Sequence, residues 1–242
     1  MPPSATDRWR PIPVAEDALA LERDPDPLET ELKLSATGPV PLRRLAGLPR
    51  LGQLQLGPAE TFLELDRYLD TADGRLAAAK WACRLRRRSR THLVSLKGPP
   101  VEVIGGLDGA LHRRPEIEGP AAASLDPDSW PPSLARRRLL EMTGGQPLRE
   151  QFALRQRRTQ RSVSDGDGSV GTLSLDSVLV LHREDPAGRL WCVELELERE
   201  RAAHREDQAV SMLADLLAVG GLSVEPLTKL ERAMTLLDRA RT

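Results

Sequence analysis

Leucine and charge alternate over residues 28–35, LETELKLS. Leu28, Thr30, Leu32 and Leu34 take one parity; Glu29, Glu31 and Lys33 take the other. A period of two predicts a strand with one apolar and one charged face. The same alternation returns in FLELDRYLDT (62–71), in ACRLRRRSR after the short helical stretch LAAAK, in THLVSLKG and in HRRPEIEG, whose proline suits an edge strand. Three more strands follow: LREQFALRQRRTQRSV, GTLSLDSVLVLH and LWCVELELER, joined by the turn signals SDGDG and EDPAG. Helical spacing marks 39–54 (Leu42, Leu45, Leu48), where Gly and Pro break it, 134–142 stopping at Gly144-Gly145, 201–219 with Val210, Met212, Leu213, Leu216 and Leu217 on one side, and a closing helix over 225–240. Residues 119–133, with four prolines, read as a linker. Residues 1–27, with six prolines, read as a flexible leader holding a short helix over 14–23. The two halves share a plan, each carrying an alternating-Glu strand.

The charged rows are nearly single-signed: Glu29 and Glu31; Arg84, Arg86 and Arg88; Arg155 and Arg157; Glu194, Glu196 and Glu198. A solvated outer face is the ordinary explanation for any one of them. Three features weigh against it. An outer face has no reason to tolerate like charges two apart. The opposite faces (Leu32, Leu34, Val193, Leu195, Leu197) are apolar and need cover. The helices are too few to sandwich an open sheet on both sides. A closed barrel with charge inside and helices outside satisfies all three.

Buried charge is costly unless paired. Acids and bases could pair with one another, but carboxylates two apart are also placed to share a divalent cation, and oxygen donors suit Mg²⁺ or Mn²⁺. His92, His112, His182 and His204 form no ligand spacing. The surplus Arg and Lys match phosphate. Cation and basic side chains around one cavity are what phosphoryl transfer requires.

Composition narrows this further. The chain has 242 residues and a formal net charge of -1, so no overall field draws nucleic acid or an anionic membrane. Aromatics are 3%, too sparse for a base-stacking platform. No apolar run reaches a spanning length. Cys83 and Cys192 fall on opposite faces if both strands turn their charges the same way, so no disulfide is expected, in keeping with a cytoplasmic protein.

An ordered set of motifs resembles the CYTH superfamily, the triphosphate tunnel metalloenzymes. It comprises ETELK (29–33), YLDT (68–71), CRLRRR (83–88), VSLKGP (94–99), RPEIE (114–118), LRQRRT (154–159), LSLDSV (173–178), VELELE (193–198) and LTKLERA (227–233, with Thr228 where the family has Ser). The resemblance implies an α+β fold: an eight-stranded antiparallel β-barrel forming a tunnel, helices packed outside, in one domain over 28–242. It implies Glu29, Glu31, Asp176, Glu194 and Glu196 as metal carboxylates, with Glu29, Glu31 and Lys33 catalytic. Lys33, Arg84, Arg86, Lys97, Arg114, Arg155, Arg157 and Lys229 would bind phosphate, and Glu116 and Glu118 would be supporting tunnel acids. Within Arg155, Arg157 and Arg158, parity lets only some face inward. The expected activity is Mg²⁺- or Mn²⁺-dependent hydrolysis of a small triphosphate, inorganic triphosphate first, by a monomer or homodimer without nucleic acid or membrane. The alternatives are a class IV adenylate cyclase, a thiamine triphosphatase, or a non-catalytic binder of polyphosphate or nucleotide.

Overall fold

The computed structural model describes residues 26–101, 109–198 and 206–241. The elements in chain order are β1 (Leu28–Ala36), α1 (Pro39–Gly47), β2 (Arg50–Leu51), β3 (Leu54–Leu56), β4 (Glu60–Thr71), α2 (Arg75–Ala78), β5 (Ala82–Arg88), β6 (Thr91–Lys97) and β7 (Leu111–Ala121). A 3₁₀ turn (Pro127–Ser129) is followed by α3 (Leu134–Thr143), β8 (Leu148–Asp165), β9 (Gly168–His182), β10 (Asp185–Leu197), α4 (Glu206–Ala218), β11 (Leu222–Val224) and α5 (Lys229–Arg241). Eight strands close on themselves in the order β8-β4-β5-β6-β7-β1-β10-β9 and back to β8, every pairing antiparallel. The leader and its helix over 14–23 lie outside the described residues, apart from the last two leader positions.

The apolar parities face outward and are covered. Leu32, Leu34, Val193 and Leu195 are buried with residues of α1, α4 and the β2–β3 hairpin. Leu85, Val94, Leu96 and Ile117 are buried with Leu76 of α2, Trp130, and Ala135 and Leu139 of α3. Each such Leu or Val contributes about 1.5–3 kcal/mol on leaving water, which holds the helices to the wall. A third apolar cluster comes from the inward parity. Tyr68, Phe152, Leu154, Val178, Val180, Leu190 and Cys192 pack with Ala233 and Leu237, so α5 lies across one end of the barrel. There Tyr68 and Phe152 stack at 4.7 Å between ring centroids.

Local chemistry departs from the sequence pattern in three places. The expected helix over 39–54 stops at Gly47, and the chain turns through Gly52 (φ 55°) into the β2–β3 hairpin. The last hairpin turns at Arg183–Glu184, both left-handed (φ 48° and 76°), so of the EDPAG signal only Glu184 lies in the loop and the rest belongs to β10. Its two-residue loop needs positive φ at both positions, which Pro186 cannot adopt. Pro186 and Gly188 instead flank a bulge in β10. The expected linker over 119–133 begins inside β7 and carries the buried Trp130. Pro115 is tolerated in a closed barrel because it sits at the ends of its neighbours, opposite Leu28 and one residue beyond the Lys97–Glu116 pair. Cys83 and Cys192 are free and buried on opposite faces, their thiols pushed up by burial to about 12 and about 11.

Candidate functional site

The charged parities converge on a cavity of about 1110 Å³. Arg90–His92 and Pro120 line it near the β5–β6 hairpin. Trp81, Gly98–Pro100 and Thr228–Glu231 line it elsewhere.

One wall is built by β7, β1 and β10. Register sets Glu29 opposite Arg114, Glu31 opposite both His112 and Glu196, and Lys33 opposite Glu194. Lys97 Nζ donates to both oxygens of Glu29 at 2.7 Å. Arg114 donates from Nε to Glu29 at 3.2 Å and from Nη2 to Glu31 at 2.9 Å. Lys33 Nζ lies 3.1 Å from Glu31, and burial lowers its pKa. Among the described residues, Glu196 makes no ion pair, and Lys97 is the cation near enough to act on it. The cavity leaves it partly solvated, but the surrounding protein, then Glu29, Glu116 and Glu31, raise its carboxyl to about 7. Like charges directly opposite on neighbouring strands repel, so Glu196, set against a Glu31 already paired with Arg114 and Lys33, is the carboxylate left without an ion pair.

The other wall is built by β4, β5, β8 and β9. Arg86 binds Asp66 through two 2.7 Å hydrogen bonds and lies 3.3 Å from Glu64. Arg84 sits between Asp66 (3.8 Å), Glu116 (3.7 Å) and Glu118 (3.6 Å). Arg88 donates to Glu64 at 2.6 Å and lies 4.1 Å from the centre of the Phe62 ring. Arg158 forks onto Asp176 (2.8 and 2.7 Å) and reaches Glu194 at 3.2 Å. Lys229, the first residue of α5, donates to the same two acids. Burial acts against charge on Asp66, yet the Arg86 guanidinium holds it well below the usual carboxylate range.

Comparison with family models matches residues 27–232 to the CYTH domain. The chain belongs to the CYTH family. The sequence has no match among curated proteins. Solved structures share the fold. One is HpAC1 from Hippeastrum, described as a candidate adenylyl cyclase with a dominant triphosphatase activity (19% identity, 86% of this chain and 95% of that one, TM-score 0.61). Another is a protein from Pyrococcus horikoshii OT3 (18% identity, 87% and 99%, TM-score 0.54).

Within this CYTH barrel, Glu29, Glu31, Lys33, Arg84, Arg86, Lys97, Arg114, Glu116, Glu118, Asp176, Glu194, Glu196 and Lys229 share the inward face. Arg155 and Arg157 do not: both are exposed on the outer face of β8, and Gln156, Arg158 and Gln160 take the inward parity. Arginines on both parities of LRQRR hid this from the sequence, as did the irregularity where β8 passes Tyr68 and Leu69. Among the described residues no three acidic, His or Cys groups stand ready as a metal cluster. Asp176 is fully buried with its oxygens taken by Arg158 and Lys229, which sets it apart from the Glu29–Glu31–Glu196 side. Glu64 and Asp66 were missed. Their signal was the shared parity of Glu64, Asp66 and Tyr68, overshadowed by the YLDT motif. Asp70 of that motif is instead a helix cap, accepting from the backbone N–H groups of Leu76 (2.9 Å) and Ala77 (3.1 Å).

Proposed function

We propose that this CYTH protein hydrolyses a small triphosphate, inorganic triphosphate first, in the barrel cavity with Mg²⁺ or Mn²⁺. The observation that carries the reading is the contrast between the two walls. Glu29 and Glu31 are held by Lys97, Arg114 and Lys33, Glu196 beside them makes no ion pair among the described residues, and the three carboxylates face Arg84, Arg86 and Arg158. The residues fit a divalent cation, because Glu196 makes no ion pair among the described residues and its carboxyl is raised by burial and then by its acidic neighbours, against Lys97. Glu29, Glu31 and Glu196 would hold it, and when bound it supplies Lewis-acid stabilisation of charge on phosphoryl oxygens. Lys97 and Arg114, which now occupy Glu29 and Glu31, would turn to phosphate oxygens. Arg84, with every ion-pair contact at 3.6 Å or longer, has the loosest hold on its acids and is the guanidinium freest to grip a phosphoryl group. Lys33, driven toward neutrality by burial, regains favour as an ammonium once phosphate stands beside it.

The test is orthophosphate release from tripolyphosphate by the pure protein with Mg²⁺ or Mn²⁺. Glu29→Gln should remove cation-dependent release. Full turnover in that variant would sink the assignment, and cyclic AMP with pyrophosphate from ATP would replace it with the cyclase reading.

A further inference from the structure

His112 lines the cavity, and among the described residues it makes none of the ion pairs that build the walls. Along the chain the four histidines form no ligand spacing, but register carries this one to the acids. It stands opposite Glu31 on β1, and Glu31 stands opposite Glu196 on β10, so the three share one row across three neighbouring strands. Residues paired in this way hold their Cβ atoms about 4.5–5.5 Å apart. His112 shares the inward parity of Arg114, Glu116 and Glu118 on β7, so its ring and the two carboxylates stand on the cavity side of the wall.

One nitrogen of that ring is tied and the other is not. Gly109, in the turn before β7, accepts a hydrogen bond from the imidazole through its backbone. Nε2 is buried with no hydrogen-bond partner among the described residues, so that bond falls to Nδ1. A neutral ring that donates from Nδ1 keeps a lone pair on Nε2. Burying an acceptor with nothing to accept is costly, so such an atom calls for an explanation. A metal-ligating histidine supplies one: its second nitrogen ordinarily donates to a backbone carbonyl or a carboxylate, which fixes the tautomer and aims the lone pair. Lys33 is the rival occupant, but its Nζ lies 3.1 Å from Glu31 and makes no hydrogen bond to the ring.

We propose that His112 Nε2 is a ligand of the divalent cation in this cavity, shared with Glu31 and Glu196, and that it makes the site prefer Mn²⁺ to Mg²⁺. The inference rests on the cation reading of the cavity. Carboxylates alone suit either ion. A nitrogen donor separates them, because imidazole suits transition metals while Mg²⁺ keeps to oxygen ligands and water. Arg114 and Lys33 now hold Glu31, and in that arrangement no three acidic, His or Cys groups among the described residues stand ready as a metal cluster. Phosphate arriving with the cation gives both bases another partner and releases Glu31 to the row.

Electron paramagnetic resonance of Mn²⁺ bound to the full chain tests this, alone and with bismethylene triphosphate, which is not cleaved and adds no nitrogen. Spin-echo modulation from the remote nitrogen of a coordinated imidazole is expected in the unaltered protein. His112→Gln should abolish it and weaken Mn²⁺ at least about tenfold. Mg²⁺, measured by competition, should weaken by less than about threefold. His92→Gln, at the far mouth of the cavity, should keep the modulation. The spectrum of the unaltered protein stands whether or not a variant folds, and thermal midpoints report on the variants. Bound Mn²⁺ without nitrogen modulation, modulation that survives His112→Gln, or equal losses for the two ions would overturn the proposal and leave the carboxylate site standing. No Mn²⁺ binding by the unaltered protein, with or without the phosphate analogue, would bring down the cation reading as well.

Discussion

Asp66 is fully buried and keeps its charge only because Arg86 forks onto it, with Arg84 and Arg158 nearby. Removing one member of such a pair leaves an uncompensated buried charge, so Asp66→Asn should cost about 3–5 kcal/mol in urea unfolding at pH 7. A fold unaffected by the change would mean that Arg86 finds another acid. Glu116 makes a related but pH-readable case. Its carboxyl, beside Lys97 and Arg84 and accepting from Ser95, is lowered from 4.5 to about 2. A depressed carboxylate contributes stability that is full above its unfolded value and drains as pH falls through its folded one. The protein should therefore lose stability between about pH 4.5 and pH 2. Glu116→Gln should be less stable than the parent at pH 7 and show a shallower acid limb. Parallel limbs in the two proteins would rule out this residue as a source. These pairs were only half legible in the sequence. Alternation in FLELDRYLDT put Glu64, Asp66 and Tyr68 on one face, but nothing in a single strand says which guanidinium a carboxylate will meet.

Strands were the most legible elements because a period of two survives any register. Their faces were legible only where charge and leucine separate cleanly, as in LETELKLS and VELELE. β8 fails that condition, with Arg155, Arg157 and Arg158 spanning both parities, and only its pairing with β4 and β9 shows that Arg158 points inward. α5 is the other element whose place could not be read. Its sequence marks a helix, while its position across the barrel end follows from apolar inward residues at the lower half of β8, β9 and β10. That packing joins the helix to the chemistry, since Lys229 in its first turn reaches Asp176 and Glu194 while Leu237 anchors its far part. Leu237→Ala should cost about 2–5 kcal/mol from lost burial and the remaining cavity. If Lys229 binds phosphate as the family resemblance implies, the change should also raise KM for tripolyphosphate more than it lowers kcat, because it loosens that ammonium without removing it. A loss of stability with unchanged KM would separate the helix from the site.

The near-neutral chain conceals a balanced interior. Among the described residues the inward face carries nine carboxylates (Glu29, Glu31, Glu64, Asp66, Glu116, Glu118, Asp176, Glu194, Glu196) against eight cations (Lys33, Arg84, Arg86, Arg88, Lys97, Arg114, Arg158, Lys229). A triphosphate entering alone must compete with carboxylates for every cation it takes. A divalent cation entering alone must displace Lys97 or Arg114 from Glu29 and Glu31. Entering together, each relieves the charge that the other strands, so the two should bind with positive coupling, and the coupling must be reciprocal. Tripolyphosphate would be turned over during a thermal scan, so its slowly cleaved imido analogue is the suitable probe. At about a hundredfold excess over its dissociation constant a ligand adds about 2.7 kcal/mol. In a protein of this size that amounts to about 5–10 °C in Tm. Mg²⁺ with imidotriphosphate should raise Tm by more than the sum of the two separate shifts, and Glu196→Gln should shrink the excess. Additive shifts would mean that the acidic and basic walls act independently, and the cavity would then be a polyanion binder whose carboxylates serve only to hold its arginines in place.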